Sequence, residues 1–319
     1  MTRARLPSKL IGMAKDNKMA GDRQRRYALN GTALEAPSLP AGLYLVATPI
    51  GNLRDVSLRA LETLAAADAI ACEDSRVTRK LTEHYGIATP LTPYHEHNAA
   101  EARPKLLARL AGGQAVALVS DAGTPLISDP GYKLGRAASE AGYNVIAVPG
   151  ASSVLTALAA AGLPTDCFFF EGFLPPKQAA RQKRIAQLAT IPATLVLFES
   201  GPRLAAALAD LAAGLGARAA AICRELTKLH EEIRRDDLAS LARHYAEGGE
   251  TRGEIVIVVG PPAEDTETAN DVDELLRSAL HRVSVKDAVG EVALATGRPR
   301  REVYQRALAL AKENGDGAP

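Results

Sequence analysis

The chain has 319 residues, enough for two domains with separate cores, and its 38 lysines and arginines against 37 acidic residues leave a formal net charge of +1. No apolar run approaches the about 20 residues needed to cross a bilayer, and the N-terminus lacks the apolar core of a secretory signal. Three widely separated cysteines (Cys72, Cys167, Cys223) without a C-x-x-C pair exclude a zinc ribbon and fit a reduced thiol set, so a soluble protein of the cytoplasm is expected.

Residues 1–41 begin with Arg3, Arg5, Lys9 and Lys15, hold few large apolar residues and close on Pro37-Ser38-Leu39-Pro40. They are expected to form a disordered basic arm. From Leu43 onward, strand and helix patterns alternate. Leu43–Ala47 runs into TPIGNL and a helix over 57–67; Ala69–Cys72 runs into EDSRVTRKLTEHYG, helical until Gly86. After LTPYHEHN a helix spans 99–110, and the strand Ala115–Val119 opens onto SDAGTPLISDPG. The strand Asn144–Val148 leads into PGASS and a helix through Ala161. This alternation predicts an α/β domain over 42–162, a parallel sheet covered by helices on both faces.

Gly162-Leu163-Pro164 reads as a hinge into a second α/β domain over 163–261, in which RELTK and HEEIRR are expected to pair as an antiparallel hairpin within a mixed sheet. Residues 262–269, rich in proline and acid, read as a linker. Residues 270–314 carry three helical patterns: Ser284 caps the second, Gly297 ends it, and Arg298-Pro299-Arg300-Arg301 opens the third. Two short helices about a tight turn predict a helix-turn-helix-like extension that contacts nucleic acid, the alternative being a helical appendage that only packs.

Three strand ends carry special turns, at 47–53, 120–131 and 149–153. The second packs two glycines, two prolines, two aspartates, two serines and a threonine into twelve positions. In an open parallel sheet, ligands bind beyond the carboxyl ends of the strands, where main-chain amides and helix N-termini are available. Gly51, Gly123 and Gly150 permit close backbone approach. Each turn alone is compatible with mere punctuation, but three after successive strands point to a nucleotide-like ligand. Neither G-x-x-x-x-G-K-[ST] nor G-x-G-x-x-G occurs, which removes a triphosphate P-loop and the usual dinucleotide fingerprint. Residues 120–131 contain no lysine or arginine, which disfavours pyrophosphate and suits a zwitterion bearing a sulfonium and an adenosine.

The ordered series LYLVATPIGNLRDVSLRALETLAAADAIACEDSRVTRKL, YHEHN, VALVSDAGTPLISDPG, VPGASS, GFLP, LVLFESGPR and RELTK resembles the tetrapyrrole-methylase (SUMT-like) superfamily over about residues 43–260. Within it, the match is to the bacterial enzymes that methylate a ribose of 16S ribosomal RNA, and the helical tail is similar to their C-terminal extension. The resemblance implies a two-domain tetrapyrrole-methylase-like fold, with S-adenosylmethionine bound between the domains of a homodimer and no metal. It places Ile50 in contact with the cofactor, together with Ala122, Gly123, Thr124 and Ile127. Thr124 stands where the porphyrin enzymes carry an acid, so Asp121 is expected to take over a cofactor hydrogen bond. Ser152 and Ser153 match hydroxyl positions after the third turn, and Glu199 matches an adenosine-side position. The implied substrate is the 2′-hydroxyl of a cytidine in the decoding region of the 30S subunit.

A 2′-hydroxyl is a poor nucleophile while protonated, so a base is useful, and Asp121, Glu73 and His95 are the leading candidates beside Asp74 and Glu199. The YHEHN loop offers His95, Glu96 and His97 without further well-spaced metal ligands, so His97 and Asn98 are expected to line a substrate groove. Arg76 is expected to face substrate, and Lys177, Arg181, Lys183 and Arg184 to form a basic helical patch for RNA phosphates. Arg203, Arg224 and Lys228 follow strand motifs and complete the substrate set. The rival readings are methylation of a small porphyrinoid and a non-catalytic ribosome-binding protein that retains the turns as relics.

Overall fold

The computed structural model describes residues 25–128, 131–248, 251–262 and 266–313. Its contacts divide the chain into unit 1, Met1–Ala157 with Glu225–Glu232, and unit 2, Leu158–Arg224 with Ile233–Pro319. The division falls just ahead of the hinge expected at Gly162.

Residues 1–24 of the expected basic arm lie outside the described residues. From Arg25 on, the arm is corrected: β1 (Arg26–Leu29) and β2 (Thr32–Glu35) pair antiparallel. Asn30 (φ 50°) and Gly31 (φ 78°) form the two-residue turn, because Asn-Gly tolerates left-handed backbone and its twist matches that of the flanking strands. Tyr27 and Ala36 join the core of unit 1, and the Ala28 amide donates to the Tyr85 carbonyl at 2.7 Å, so burial and main-chain pairing outweigh the polar composition.

Unit 1 is built on β3 (Gly42–Val46), β4 (Ala69–Cys72), β5 (Leu91–Pro93), β6 (Ala115–Val119) and β7 (Val145–Val148), hydrogen-bonded in the order β5-β4-β6-β3-β7. Every pairing is parallel. All five residues of β6 are buried, as a central strand with helices on both faces requires. The helices are α1 (Leu58–Ala66), α2 (Ser75–His84), α3 (Ala99–Ala111), α4 (Tyr132–Glu140) and α5 (Ser153–Ala161). Leu61 and Leu64 of α1 and Leu81 of α2 pack on one face of the sheet with Tyr44, Val46 and Ile70. Leu106 and Leu110 of α3 and Leu134 of α4 pack on the other with Leu43, Val116 and Leu118. The α1 crossover leaves β3 toward β4, whereas the α4 crossover leaves β6 in the opposite direction, toward β7. β3 and β6 are neighbours, so the sheet's topological switch point lies between their carboxyl ends.

Unit 2 holds β8 (Phe168–Phe173), α6 (Gln178–Leu188), β9 (Thr194–Ser200), α7 (Gly201–Leu215), β10 (Ala219–Arg224), β11 (Glu232–Asp237, entered from the end of unit 1), α8 (Leu238–Glu247) and β12 (Glu254–Val259). The sheet order is β11-β10-β12-β9-β8 and it is mixed: β8 and β9 run parallel, while β12 is antiparallel to both β9 and β10. The expected strand through RELTK stops at Arg224, because Glu225 (φ 50°) and Thr227 (φ 67°) turn the backbone left-handed. Gly214 lets α7 approach α6, since a Cβ there would stand 2.5 Å from Ile185 Cγ2. The same contact buries an ion pair: Arg181 of α6 meets Asp210 of α7 at 2.5 Å, with both side chains under a tenth exposed. Gln182 Nε2 adds a hydrogen bond to Asp210 at 2.9 Å.

The tail consists of α9 (Thr266–Leu280), α10 (Val285–Thr296) and α11 (Arg300–Glu313), so the expected linker ends by Thr266. Ser284 Oγ accepts from the Asp287 amide and Gly297 closes α10 in left-handed conformation. Leu276, Val289, Val292, Val303 and Leu310 give the three helices a core of their own.

Asp210→Leu is expected to leave Arg181 buried and unpaired and to cost about 3–5 kcal/mol, whereas adding Arg181→Met recovers most of the loss. Urea unfolding followed by circular dichroism measures both.

Candidate active site

The turns after β6, β3 and β7 lie side by side because their strands are consecutive in the sheet. The first two are pinned at the switch point: the Thr48 amide donates to the Gly123 carbonyl at 2.9 Å, and the Gly123 amide donates back to the Thr48 carbonyl at 3.0 Å. Thr124 Oγ1 donates to the Ala151 carbonyl at 3.3 Å, tying the second turn to the third. Gly150 lets the third turn lie against β3, since a Cβ there would meet the Ala47 Cβ at 3.0 Å.

The second turn is the most constrained stretch of the rim. Gly123 (φ 74°), Leu126 (φ 76°) and Ser128 (φ 61°) all adopt left-handed backbone. Non-glycine residues do so at a cost and concentrate where function requires it. Ile50 is buried, and its Cγ2 would stand 3.4 Å from a Cβ at position 123, with the Ala151 carbonyl oxygen at 3.8 Å. Any side chain at position 123 would therefore enter the space bounded by the first and third turns. Asp121, Ala122, Thr124 and Ile127 are exposed around it. Ser152 Oγ accepts from the Leu155 amide at 3.4 Å, and Ser153 opens α5, so both hydroxyl residues stand at a helix start.

A segment remote in sequence completes the first turn. Residues 225–232 belong to unit 1, and they cover Gly51: a Cβ there would stand 2.4 Å from Lys228 Cγ and 2.8 Å from Thr227 Oγ1. The segment is self-braced, since the Thr227 amide donates to Glu231 Oε2 at 2.6 Å and Lys228 Nζ pairs with Glu225 at 2.9 Å. The sequence singles out Lys228 alone from this segment. The two left-handed residues that fold it back, Glu225 and Thr227, are not glycines, and so gave no turn signal.

Carboxylates gather at the ends of β4 and β6. Asp121 Oδ1 accepts from the Asp74 amide at 2.9 Å, joining the two strand ends. Asp74 caps α2 by accepting from the Arg76 amide at 2.8 Å, and both its oxygens receive the Arg76 guanidinium, with Nη2 to Oδ2 at 2.6 Å. These hydrogen bonds hold the Asp74 carboxyl down at about 2. Arg76 is therefore exposed but already paired. Glu73 immediately precedes this cap and is half-buried.

Beyond β5, Tyr94 is buried and its amide donates to the Cys72 carbonyl at 2.7 Å. Asn98 spends its side chain on the loop: Oδ1 accepts from the His95 amide at 2.9 Å and Nδ2 donates to the Pro93 carbonyl at 3.0 Å. The His95 and His97 rings stand 6.0 Å apart, with His97 exposed and His95 Nδ1 buried without a hydrogen-bond partner among the described residues. Among the described residues, no three His, Cys, Asp or Glu side chains are grouped to hold a metal ion, and no helix is long and apolar enough to cross a membrane.

In unit 2, Glu199 is the penultimate residue of β9 and its side chain is buried. Oε1 accepts from the Ser200 amide at 2.8 Å and faces Arg203 Nε at 3.3 Å, while Oε2 has no hydrogen-bond partner among the described residues. Arg203 donates to the Leu174 carbonyl at 2.7 Å, and Arg224 Nη1 lies 3.5 Å from the Arg252 carbonyl. The basic patch expected on α6 is corrected. Arg181 is consumed by Asp210, and Arg184 makes a bidentate pair with Glu171 at 2.7 and 2.6 Å. Only Lys177 and Lys183 of that patch point to solvent without an ion pair among the described residues.

Comparison with known proteins bears on the same residues. Residues 42–242 match the family model of tetrapyrrole (corrin/porphyrin) methylases, and residues 266–311 match that of the RsmI C-terminal HTH domain. The chain is 52% identical over 287 residues to the ribosomal RNA small subunit methyltransferase I of Mesorhizobium japonicum, covering 90% of this chain and 98% of that one. It is 43% identical to the protein of that name from Escherichia coli O157:H7, covering 83% and 94%. In fold it is similar to a cobalt precorrin-4 methyltransferase (TM-score 0.52, 19% identity, 68% and 94% covered) and to a diphthine synthase (0.54, 19%, 68% and 89%). The chain belongs to the tetrapyrrole methylases and, within them, to the ribosomal RNA small subunit methyltransferase I family.

Proposed function

We propose that the chain transfers a methyl group from S-adenosylmethionine to the ribose 2′-oxygen of a cytidine in the 16S RNA of the 30S subunit, acting in the cytoplasm as a homodimer and without a metal. The observation that carries this reading is the pinned pair of turns at the switch point, with Gly123 held left-handed against Ile50. The relatives named for small-subunit ribosomal RNA extend over nearly the whole chain, including the helical tail that a small-molecule methylase does not need.

The residues fit the donor. A side chain at position 123 would fill the space that Ile50 and Ala151 border. When bound, S-adenosylmethionine supplies a methyl carbon already made electrophilic by the sulfonium. Ile50, Ala122, Gly123, Thr124 and Ile127 would hold and orient it, with Ser152 and Ser153 at the third turn. Alignment then contributes much of the acceleration. Proton removal from the 2′-hydroxyl is assigned to Asp121, Glu73 or His95. Asp74 is set aside, because a carboxylate held at about 2 by Arg76 is far too weak a base near neutral pH. His97, Lys177 and Lys228 are proposed to meet the RNA, while Arg76, Asn98, Arg203 and Arg224 act through groups they already hold. Val145 on the edge strand and Leu155 on α5 present apolar side chains to solvent, which supports pairing of two copies.

The second reading, methylation of a tetrapyrrole, is favoured by the name of the family that covers residues 42–242. Tritium from methyl-labelled donor is expected in isolated 30S subunits and not in uroporphyrinogen; label confined to the tetrapyrrole reverses the choice. Gly123→Arg is expected to abolish donor binding in calorimetry while far-ultraviolet circular dichroism stays unchanged, and an unaltered affinity refutes the placement of the donor. Asp121→Ala is expected to lower kcat by about 10²–10⁴ if it carries the proton, measured at saturating donor.

A further inference from the structure

Among the described residues, the helical tail neutralises some of its cations and leaves others without an ion pair, and three of these converge. Arg306 makes a bidentate pair with Asp273 at 2.7 and 2.5 Å, Arg277 lies 4.0 Å from the same carboxylate, and Arg282 pairs with Glu291 at 3.1 Å. Lys286 of α10 and Arg300 and Arg301 of α11 have no ion pair among the described residues. These three, with Val289 and Tyr304, line a shallow depression of about 270 Å³ between the two helices. Gly290 helps to form it, because the Arg300 guanidinium passes 3.1 Å from where a Cβ would stand and so lies close against α10. Tyr304 is about half exposed at the wall, an amphipathic ring beside three cations.

We propose that this depression is a binding site for the RNA backbone, in which Lys286, Arg300 and Arg301 take phosphate oxygens and Tyr304 stacks on an unpaired base. The chemistry is that of single-stranded RNA recognition: cations fix register on phosphates and an aromatic face accepts any base. The site would position the substrate without selecting the methylated nucleotide. The inference rests on the 16S RNA reading above, but its test is independent of turnover.

Filter binding of the full chain to isolated 30S subunits, at several salt concentrations, measures it. The triple variant Lys286→Gln, Arg300→Gln, Arg301→Gln is expected to bind at least about tenfold more weakly and to flatten the log–log salt dependence by about two, near 0.7 for each lost phosphate on a single strand. Tyr304→Ala is expected to weaken binding while leaving the salt slope unchanged. Arg282→Gln removes a charge from the turn between α9 and α10, at a residue already paired with Glu291, and is expected to change neither quantity. Donor affinity by calorimetry is expected to stay at the wild-type value in all of these variants. Wild-type binding and slope in the triple variant overturn the site, whether or not methylation occurs. Competition by duplex DNA as strong as by 30S subunits overturns the assignment to RNA. Loss of 30S methylation in the wild-type chain itself, with the salt effects intact, would fail the proposed reaction and leave this site standing.

Discussion

Two reciprocal hydrogen bonds between the main chains of Thr48 and Gly123 close the gap between β3 and β6 where their crossovers part. In a parallel sheet, that divergence leaves the strand ends without a covering helix, and backbone groups there must find other partners. Joining the turns to each other meets this need while keeping them at the carboxyl end of the sheet. Left-handed backbone at Gly123, the burial of Ile50 and the link from Thr124 to Ala151 are all compatible with that junction and with few alternatives. Leu126 and Ser128, in the same loop, are left-handed as well.

Charge follows a comparable logic. The sequence carries nearly equal numbers of cations and acids, so its net charge says little about what the surface attracts. The fold decides which cations remain available. Arg181, Arg184 and Arg306 are tied to Asp210, Glu171 and Asp273, where they brace elements of unit 2 rather than meet a ligand. Such buried or bidentate pairs fix geometry more than they add stability, because desolvation offsets much of the attraction.

Much of the architecture was legible in the sequence. The alternation of apolar runs with amphipathic segments gave the parallel sheet, and the strand-end turns stood out through their glycines and prolines. Ser284 and Gly297 marked the limits of α10 through standard capping chemistry. What escaped was information that sequence spacing does not hold. Arg181 and Arg184 look like a solvent-facing basic run, since their acidic partners lie 29 and 13 residues away. The β1–β2 hairpin was obscured by the basic composition around it, although Asn30-Gly31 is a strong local turn signal. At the candidate site the glycine positions were readable, whereas the engagement of Asp74 by Arg76 depends on how α2 starts and became visible only in three dimensions.

The return of residues 225–232 to unit 1 makes that unit discontinuous along the chain. Its boundary cannot be drawn by a single cut: a fragment ending at Ala157 would lack the segment that covers Gly51. During synthesis the ribosome therefore releases the first turn's last wall only after most of the second sheet has emerged. An N-terminal half that has already collapsed must wait, incomplete, for a piece of chain delivered from the other half.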